Sequence, residues 1–419
     1  MPSRRQLLVG GSVALAGLAG ANTIGRHRGR RSVSAVAATQ STDSESTFDW
    51  PMARYDPAGT GFTPDGSGPT DDVSVAWERS FDRFEYGTHA PILVGDRLSV
   101  IGRDVVLTLD RETGETLFSR NGAYRSAAAT VEASAYRTAT LAVAGSRGIY
   151  GLNAGGGYEL FGRSVGLERW HAPGEAPPRE HGAHDAQPPV AVDGTVYAIV
   201  PETDRVAAFD ANSGRVRWER TIGDPRSTGS HRPAVRDGTV YVSSVAGNVE
   251  AFDAETGEQY WSVRIEHSND GRFRDLLAPT ATAAGVVVPS RSAVTLLDPQ
   301  DGDVVWEYEH DGNATGGSAA VADGAAFVTD GNGSLRTIDV ATGEQRWATE
   351  YAPQVQPVVA DGVVYLGYRS LGELVAIDAE SGQRRWTYES GPGFSQPIVG
   401  DGVLYAVGHD RVLALEEAQ

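Results

Sequence analysis

The stretch Pro357-Val358-Val359-Ala360-Asp361-Gly362-Val363-Val364-Tyr365-Leu366 continues into Leu374-Val375-Ala376-Ile377-Asp378, Ser381-Gly382 and Arg384-Arg385-Trp386-Thr387-Tyr388. Runs rich in Val, Ile and aromatics, bounded by Asp-Gly and Asp-x-x-Ser-Gly, read as strands joined by tight hairpins. Asp accepts from turn amides and Gly takes up a positive φ, which accounts for the punctuation. One such stretch therefore makes four antiparallel strands.

Working outward, the same unit recurs along the chain. Asp110, Asp210, Asp253, Asp298, Asp339 and Asp378 each precede an aromatic by eight residues: Phe118, Trp218, Trp261, Trp306, Trp347 and Trp386. Asn153, Gly157 and Phe161 form a degenerate copy, and the last copy stops at Leu413–Glu416 before reaching an aromatic. At the other end, Trp77 lies in a strand-like run, Val75 to Glu78, with no Asp-turn before it. Four-stranded units of about 40 residues either stack as an open array or close in a ring, and the orphan strand selects the ring. Closure removes exposed terminal sheets. The expectation is an all-β, eight-bladed β-propeller over residues 73–416, with the N-terminal strand completing the last blade. Each aromatic is then a packing residue between blades.

Composition limits the function. Among 419 residues there is no cysteine, which excludes disulfide scaffolds, thiolate metal sites and cysteine nucleophiles. With 55 acidic against 36 basic residues the net charge is −19, which argues against a nucleic-acid partner. Every basic residue is arginine, and an acidic, lysine-free surface reads as adaptation to high salt, where screening makes dense charge cheap. Ser3-Arg4-Arg5-Gln6-Leu7-Leu8, leading into an uncharged run to Gly25, reads as a twin-arginine export signal or an uncleaved anchor. Residues 1–37 are assigned to that segment and 38–72 to a linker and leader. The chain is expected outside the cell or at its surface, monomeric, with membrane attachment through its N-terminal segment as the alternative to cleavage. Sequons at Asn313 and Asn332 fall in expected loops and suit a surface location.

The pattern Leu-x-Asp-x-x-Thr-Gly-x-x-x-Trp, preceded by Pro-Val-Val-x-Asp-Gly-x-Val-Tyr, resembles the pyrroloquinoline-quinone (PQQ) type propeller repeat. That repeat is shared by quinoprotein dehydrogenases and the outer-membrane assembly scaffold of the BamB type. Trp50, Pro51, Met52, Tyr55, Asp56, Thr60, Gly61 and Phe62 resemble the leader that precedes such propellers. The resemblance covers nearly the whole chain after the signal. It implies the fold, but not the function, since its Asp, Gly and Trp build turns and packing. For dehydrogenase members it implies a calcium-bound PQQ and an Asp base, often with adjacent cysteines, which this chain lacks.

Residues just before each inner strand should ring one mouth of the channel: His89, Gln187, His231, Arg232, Ser318, Gln356 and Gln396. Such a ring of polar donors either binds a small polar or anionic ligand or simply lines a hydrated pore. Between Asn153 and Asp210 the repeat spacing grows by some 14 residues, pointing to an inserted loop that holds Trp170, His171, His181, His184 and Asp185. The three histidines and the carboxylate are candidate ligands for a divalent metal, although their spacing matches no established signature. No Gly-x-Ser-x-Gly elbow or phosphate loop is present. The reading that follows is a non-catalytic exported scaffold with a protein partner and no cofactor. The alternatives are a PQQ-dependent dehydrogenase oxidising a sugar or alcohol, and a His-rich metal or small-ligand receptor.

Overall fold

In the computed structural model the described residues are 48–81, 89–102, 105–160, 163–173, 186–223, 229–265, 275–368, 370 and 372–419. The expected signal or anchor lies outside them. The described chain forms eight four-stranded antiparallel sheets, the blades of a propeller. Each blade begins with a short inner strand at the axis and ends with an outer strand at the rim, as in Val358–Ala360, Val363–Gly367, Glu373–Asp378 and Arg384–Glu389 of blade 7. The middle strands are buried on both faces, which is why they read as continuous apolar runs. The outer strands alternate instead, burying little beyond their aromatic.

Closure follows the expected route. Val73–Ser80 pairs antiparallel with Arg411–Glu417, setting Trp77 opposite Ala414, and so completes blade 8 with the strands Ile398–Gly400 and Val403–Val407.

One contact repeats around the ring and explains the Asp-x-x-Thr-Gly signature. In five blades the indole N–H donates to the carbonyl just after the Asp of the next blade. Trp77 donates to Arg111 O at 3.0 Å, Trp218 to Ala254 O at 2.9 Å, Trp261 to Pro299 O at 3.0 Å, Trp306 to Val340 O at 2.8 Å and Trp347 to Ala379 O at 3.1 Å. The turn glycine lies on that same ring. At Gly382, where φ is +72°, a Cβ would come within 2.7 Å of the Trp347 indole, so the position needs glycine for both space and conformation. Each turn thus sits on its neighbour's aromatic.

Blade 2 departs from the expectation. Phe161 lies outside the described residues, and the indole that docks on blade 3 belongs to Trp170, which donates to Ala211 O at 2.8 Å and lies under Gly214. The extra residues come before that aromatic: Tyr158–Leu160 and Arg163–Val165 form a separate two-stranded hairpin ahead of the outer strand Glu168–Pro173. The aromatic eight residues after Asn153 keeps the spacing by coincidence, because the hairpin displaces the true outer strand. Turn glycine Gly156 packs on Phe118 of blade 1, as the repeat requires.

The leader from Trp50 onward is a structural part of the ring. Its carbonyls accept from the inner strands in blade order: Trp50 O from Leu93 N at 2.9 Å, Pro51 O from Thr130 N at 2.8 Å, Pro57 O from Val235 N at 2.8 Å, and Ala58 O from Ala281 N at 3.0 Å. Thr60 O then accepts from Val321 N and Gly61 O from Val359 N, both at 2.8 Å. Trp50 is fully buried, and Phe62–Thr63 adds to blade 7 as a short parallel strand. Finally, Pro69 O accepts the Trp386 indole N–H at 2.9 Å, standing in for the Asp-turn that blade 8 lacks.

Candidate functional site

The leader engages several of the residues that precede the inner strands. Gln396 donates to Ala53 O at 2.7 Å, and Gln187 accepts from the Arg232 backbone N–H at 3.1 Å. The Arg232 guanidinium donates to Asp56 O at 3.0 Å and to Pro233 O at 3.2 Å. From the leader, Arg54 reaches across the axis and donates to Pro357 O and Ala319 O, both at 2.8 Å. His89 and Gln356 are half-buried at their expected positions, and Ser318 is buried with its hydroxyl unpaired.

This centre is cationic. Arg54 and Arg232 are both buried, and among the described residues neither forms an ion pair. Burial, reinforced by the neighbouring Arg232 charge, brings the Arg54 guanidinium down to about 9, and burial brings Arg232 down to about 10. Burial likewise pushes the His231 imidazole down to about 4, against the opposing pull of the Leu276 carbonyl and Asp275, and its Nε2 has no partner. His231 is therefore neutral at pH 7. Calcium takes 6–8 oxygen ligands, largely carboxylates, and no group of three or more His, Asp or Glu able to hold a metal occurs among the described residues. Two guanidiniums and a neutral imidazole do not fit a calcium-bound quinone; they suit an anion.

Of the candidate metal ligands, His171 is among the described residues. His171 lies on the exposed outer strand of blade 2, stacked on Tyr150 at 4.3 Å with its Nε2 3.1 Å from Arg147 O. His181, His184 and Asp185 lie outside the described residues.

A feature that motif reading passed over is a cavity of about 850 Å³ on the opposite face, between blades 2 and 3. It exists because blade 2 replaces the two-residue turn with a loop, residues 132–139, between Ala129–Val131 and Thr140–Gly145. Asn212 of blade 3 pins that loop, accepting from Ala135 N at 2.7 Å while its carbonyl accepts from Tyr136 Oη at 3.0 Å. The Arg169 guanidinium backs the Tyr136 ring at 4.2 Å. The missing Asp-Gly before Thr140 was the available signal.

The family model described as outer membrane protein assembly factor BamB matches residues 160–388 and 331–419. The chain is 30% identical over 240 residues to the assembly factor BamB of Moranella endobia, covering 50% of this chain and 59% of that protein. It is 32% identical over 139 residues to the quinohemoprotein alcohol dehydrogenase ADH-IIG of Pseudomonas putida, covering 29% and 19%. It is 30% identical over 171 residues to the serine/threonine-protein kinase AfsK of Streptomyces griseus, covering 39% and 21%. The chain thus spans less than two thirds of the length of each of these relatives. The crystal structure of BamB from Moraxella catarrhalis superposes with a TM-score of 0.64 at 17% identity, covering 82% of this chain and all of that one, a likeness of fold.

Proposed function

Because the chain belongs to the propeller family described as outer membrane protein assembly factor BamB, we propose that it is a non-catalytic scaffold, exported by the twin-arginine route, that holds a protein partner at the cell surface. The observation that carries this reading is the leader wound around the axis, whose backbone consumes hydrogen-bonding groups of six inner strands. The axis so filled is a structural centre, and recognition falls to the loops and rim. On the rim, the blade 2 hairpin presents Tyr158, 74% exposed, directly across from Val165, 48% exposed. A solvated aromatic and aliphatic pair on a projecting hairpin is a natural contact for a partner.

The test is cross-linking of the full chain to surface extracts in molar salt, beside a Tyr158→Asp/Val165→Asp variant. One partner band, lost in the variant, is the expected result. The same bands with both proteins would remove the hairpin, and no band at all would remove the scaffold.

A second reading, a PQQ-dependent sugar or alcohol dehydrogenase, rests on the similarity to the quinohemoprotein alcohol dehydrogenase of Pseudomonas putida rather than on the residues at the axis. Titration with PQQ and calcium tests it through quinone absorbance and dye reduction. Elemental analysis of protein purified without chelator tests the metal reading of His171, His181, His184 and Asp185.

A further inference from the structure

The leader leaves one inner strand unserved where a cavity opens. In blade 3 the strand Val190–Val192 meets Thr195–Ile199 across the Asp193-Gly194 turn, with Val192 opposite Thr195 and Ala191 opposite Val196. The residues flanking a two-residue turn are the hydrogen-bonded pair, so Ala191 is the non-bonded position and its N–H and C=O point away from its own sheet. The equivalent N–H groups of Leu93, Thr130, Val235, Ala281, Val321 and Val359 all donate to leader carbonyls. Ala191 receives no leader carbonyl, since the chain turns back at Met52–Asp56, with Tyr55 at φ +69° and its N–H donating to Met52 O. Blade 8 also lacks this bond, but there Ser67 O accepts from Gly402 N and Phe48 packs near Gly400, so the leader covers it. At blade 3, Ala191 and Val192 line the 850 Å³ cavity instead.

We propose that this edge receives an extended peptide segment of a partner, whose main-chain carbonyl accepts the Ala191 N–H as the leader carbonyls do at six other blades. Adding a strand to an open edge supplies affinity through the backbone and specificity through the flanking side chains. Six copies of the same bond within this ring show that the edge geometry accepts it. The flanking chemistry selects a basic segment. Glu132 and Asp193 line the cavity with carboxylates that no described residue pairs, against the single unpaired guanidinium of Arg137, because Arg217 is already held by Asp210 at 2.9 Å. The protein's net charge of −19 acts in the same direction. The cavity floor of Val131, Ala133 and Ala191 takes the alternate apolar side chains. This proposal rests on the scaffold reading and gives it a second, independent contact.

The probe is an acetylated, amidated pentapeptide alternating lysine or arginine with valine, with two controls: a glutamate-for-basic version and a version N-methylated along the backbone. Titration onto the full chain in molar salt is expected to show binding of the basic peptide only. Ala191→Pro removes the donor at a position whose N–H is not used by its own ladder, so the fold persists and binding falls about tenfold or more. Glu132→Gln/Asp193→Asn weakens binding severalfold, and asparagine tolerates the left-handed conformation of that turn position. Hydrogen exchange at Ala191 should be fast in the free chain and slowed by peptide. The proposal is overturned if Ala191 is already protected in the free chain, which would mean that a segment of the chain itself fills the edge. Absence of binding, equal binding of the N-methylated peptide, or an unchanged affinity in Ala191→Pro would also overturn it. Such a failure leaves the hairpin cross-link intact if the scaffold reading is right, and loss of the hairpin cross-link leaves peptide binding intact if the edge is right.

Discussion

Blade 7 and blade 2 are built on the same plan, and the difference between them separates what the repeat does from what this chain adds. In blade 7 every signature residue does structural work: Asp361-Gly362 turns one hairpin with Asp361 at φ 45°, Asp378 caps the next turn, and Trp386 donates to Pro69 O of the leader, which stands in for the turn of blade 8. In blade 2 the first turn has become a loop, the Asp has become Asn153, and a hairpin precedes the aromatic. The propeller closes regardless, because blade 2 keeps the two contacts that join it to its neighbours, Gly156 on Phe118 and Trp170 on Ala211 O. Blade-to-blade docking is therefore the constraint, and the rest of a blade is free to vary. That freedom is used where the cavity and the exposed hairpin lie.

The strongest way to break the comparison is to remove the docking aromatic from each blade. Trp386 and Trp170 are 5% and 6% exposed, and each donates its indole N–H to a carbonyl. Trp386→Ala and Trp170→Ala should each cost about 3–5 kcal/mol by cavity formation and the lost bond, measured by denaturant unfolding. Equal costs would establish blade 2 as a full member of the ring. A Trp170→Ala variant as stable as wild type would return its place to Phe161.

This contrast also shows what could be read from the residues. Six turns and their aromatics were legible because a strand-turn-strand unit is written locally, in Asp, Gly and an aromatic at fixed offsets. Closure was legible because Trp77 had no turn of its own. The misreading of blade 2 arose because an aromatic at Asp+8 is a weak test once an insertion is present, and only contact with the next blade identifies the right one. The engagement of the inner strands by the leader was hidden, since those bonds run mainly through leader backbone with no side-chain signature. Ala191 was invisible for the same reason.

The axis offers the next test, on the shared centre rather than on one blade. His231 has its pKa lowered by burial to about 4, from an ordinary 6.5, so the unfolded chain binds the extra proton between those values. Stability should fall as pH drops from about 6.5 to 4, by roughly 2–3 kcal/mol from this group alone. The turn carboxylates act lower: hydrogen bonds from Tyr260 and Thr256 hold Asp253 near 2, and those from Ser381 and Arg385 hold Asp378 near 2, so their contribution is lost below about 4. Unfolding measured at pH 7 and pH 4.5 should separate the two, because His231→Gln flattens the upper window only. An unaltered slope in that variant would show that His231 is hydrated in solution.

Turn chemistry gives a smaller difference. Asp378 accepts from Ser381 N and Ser381 Oγ, each at 2.7 Å, and from Arg385. Asp378→Ala should cost about 1–2 kcal/mol by thermal unfolding, since the amide and hydroxyl lose their acceptor at a solvated turn.

The smallest effect is the most informative about blade 2, because it asks whether its Asn is a defect of the repeat or an adaptation to the loop. Asn153 Oδ1 accepts from Gly155 N at 2.9 Å, Thr138 Oγ1 at 2.9 Å and Arg169 Nη2 at 3.1 Å, while its Nδ2 donates to Gly166 O at 3.4 Å. A carboxylate there would keep all three donors and strengthen the contact with Arg169, but it would lose the bond to Gly166 and place charge against that carbonyl. The terms nearly cancel, so Asn153→Asp should change stability by less than about 0.5 kcal/mol in molar salt, where screening weakens the gain with Arg169. At low salt the variant should become the more stable of the two. If it is instead destabilised at every salt concentration, the Asn153 amide is serving the inserted hairpin through Gly166, and blade 2 has been rebuilt around that insertion rather than merely tolerating it.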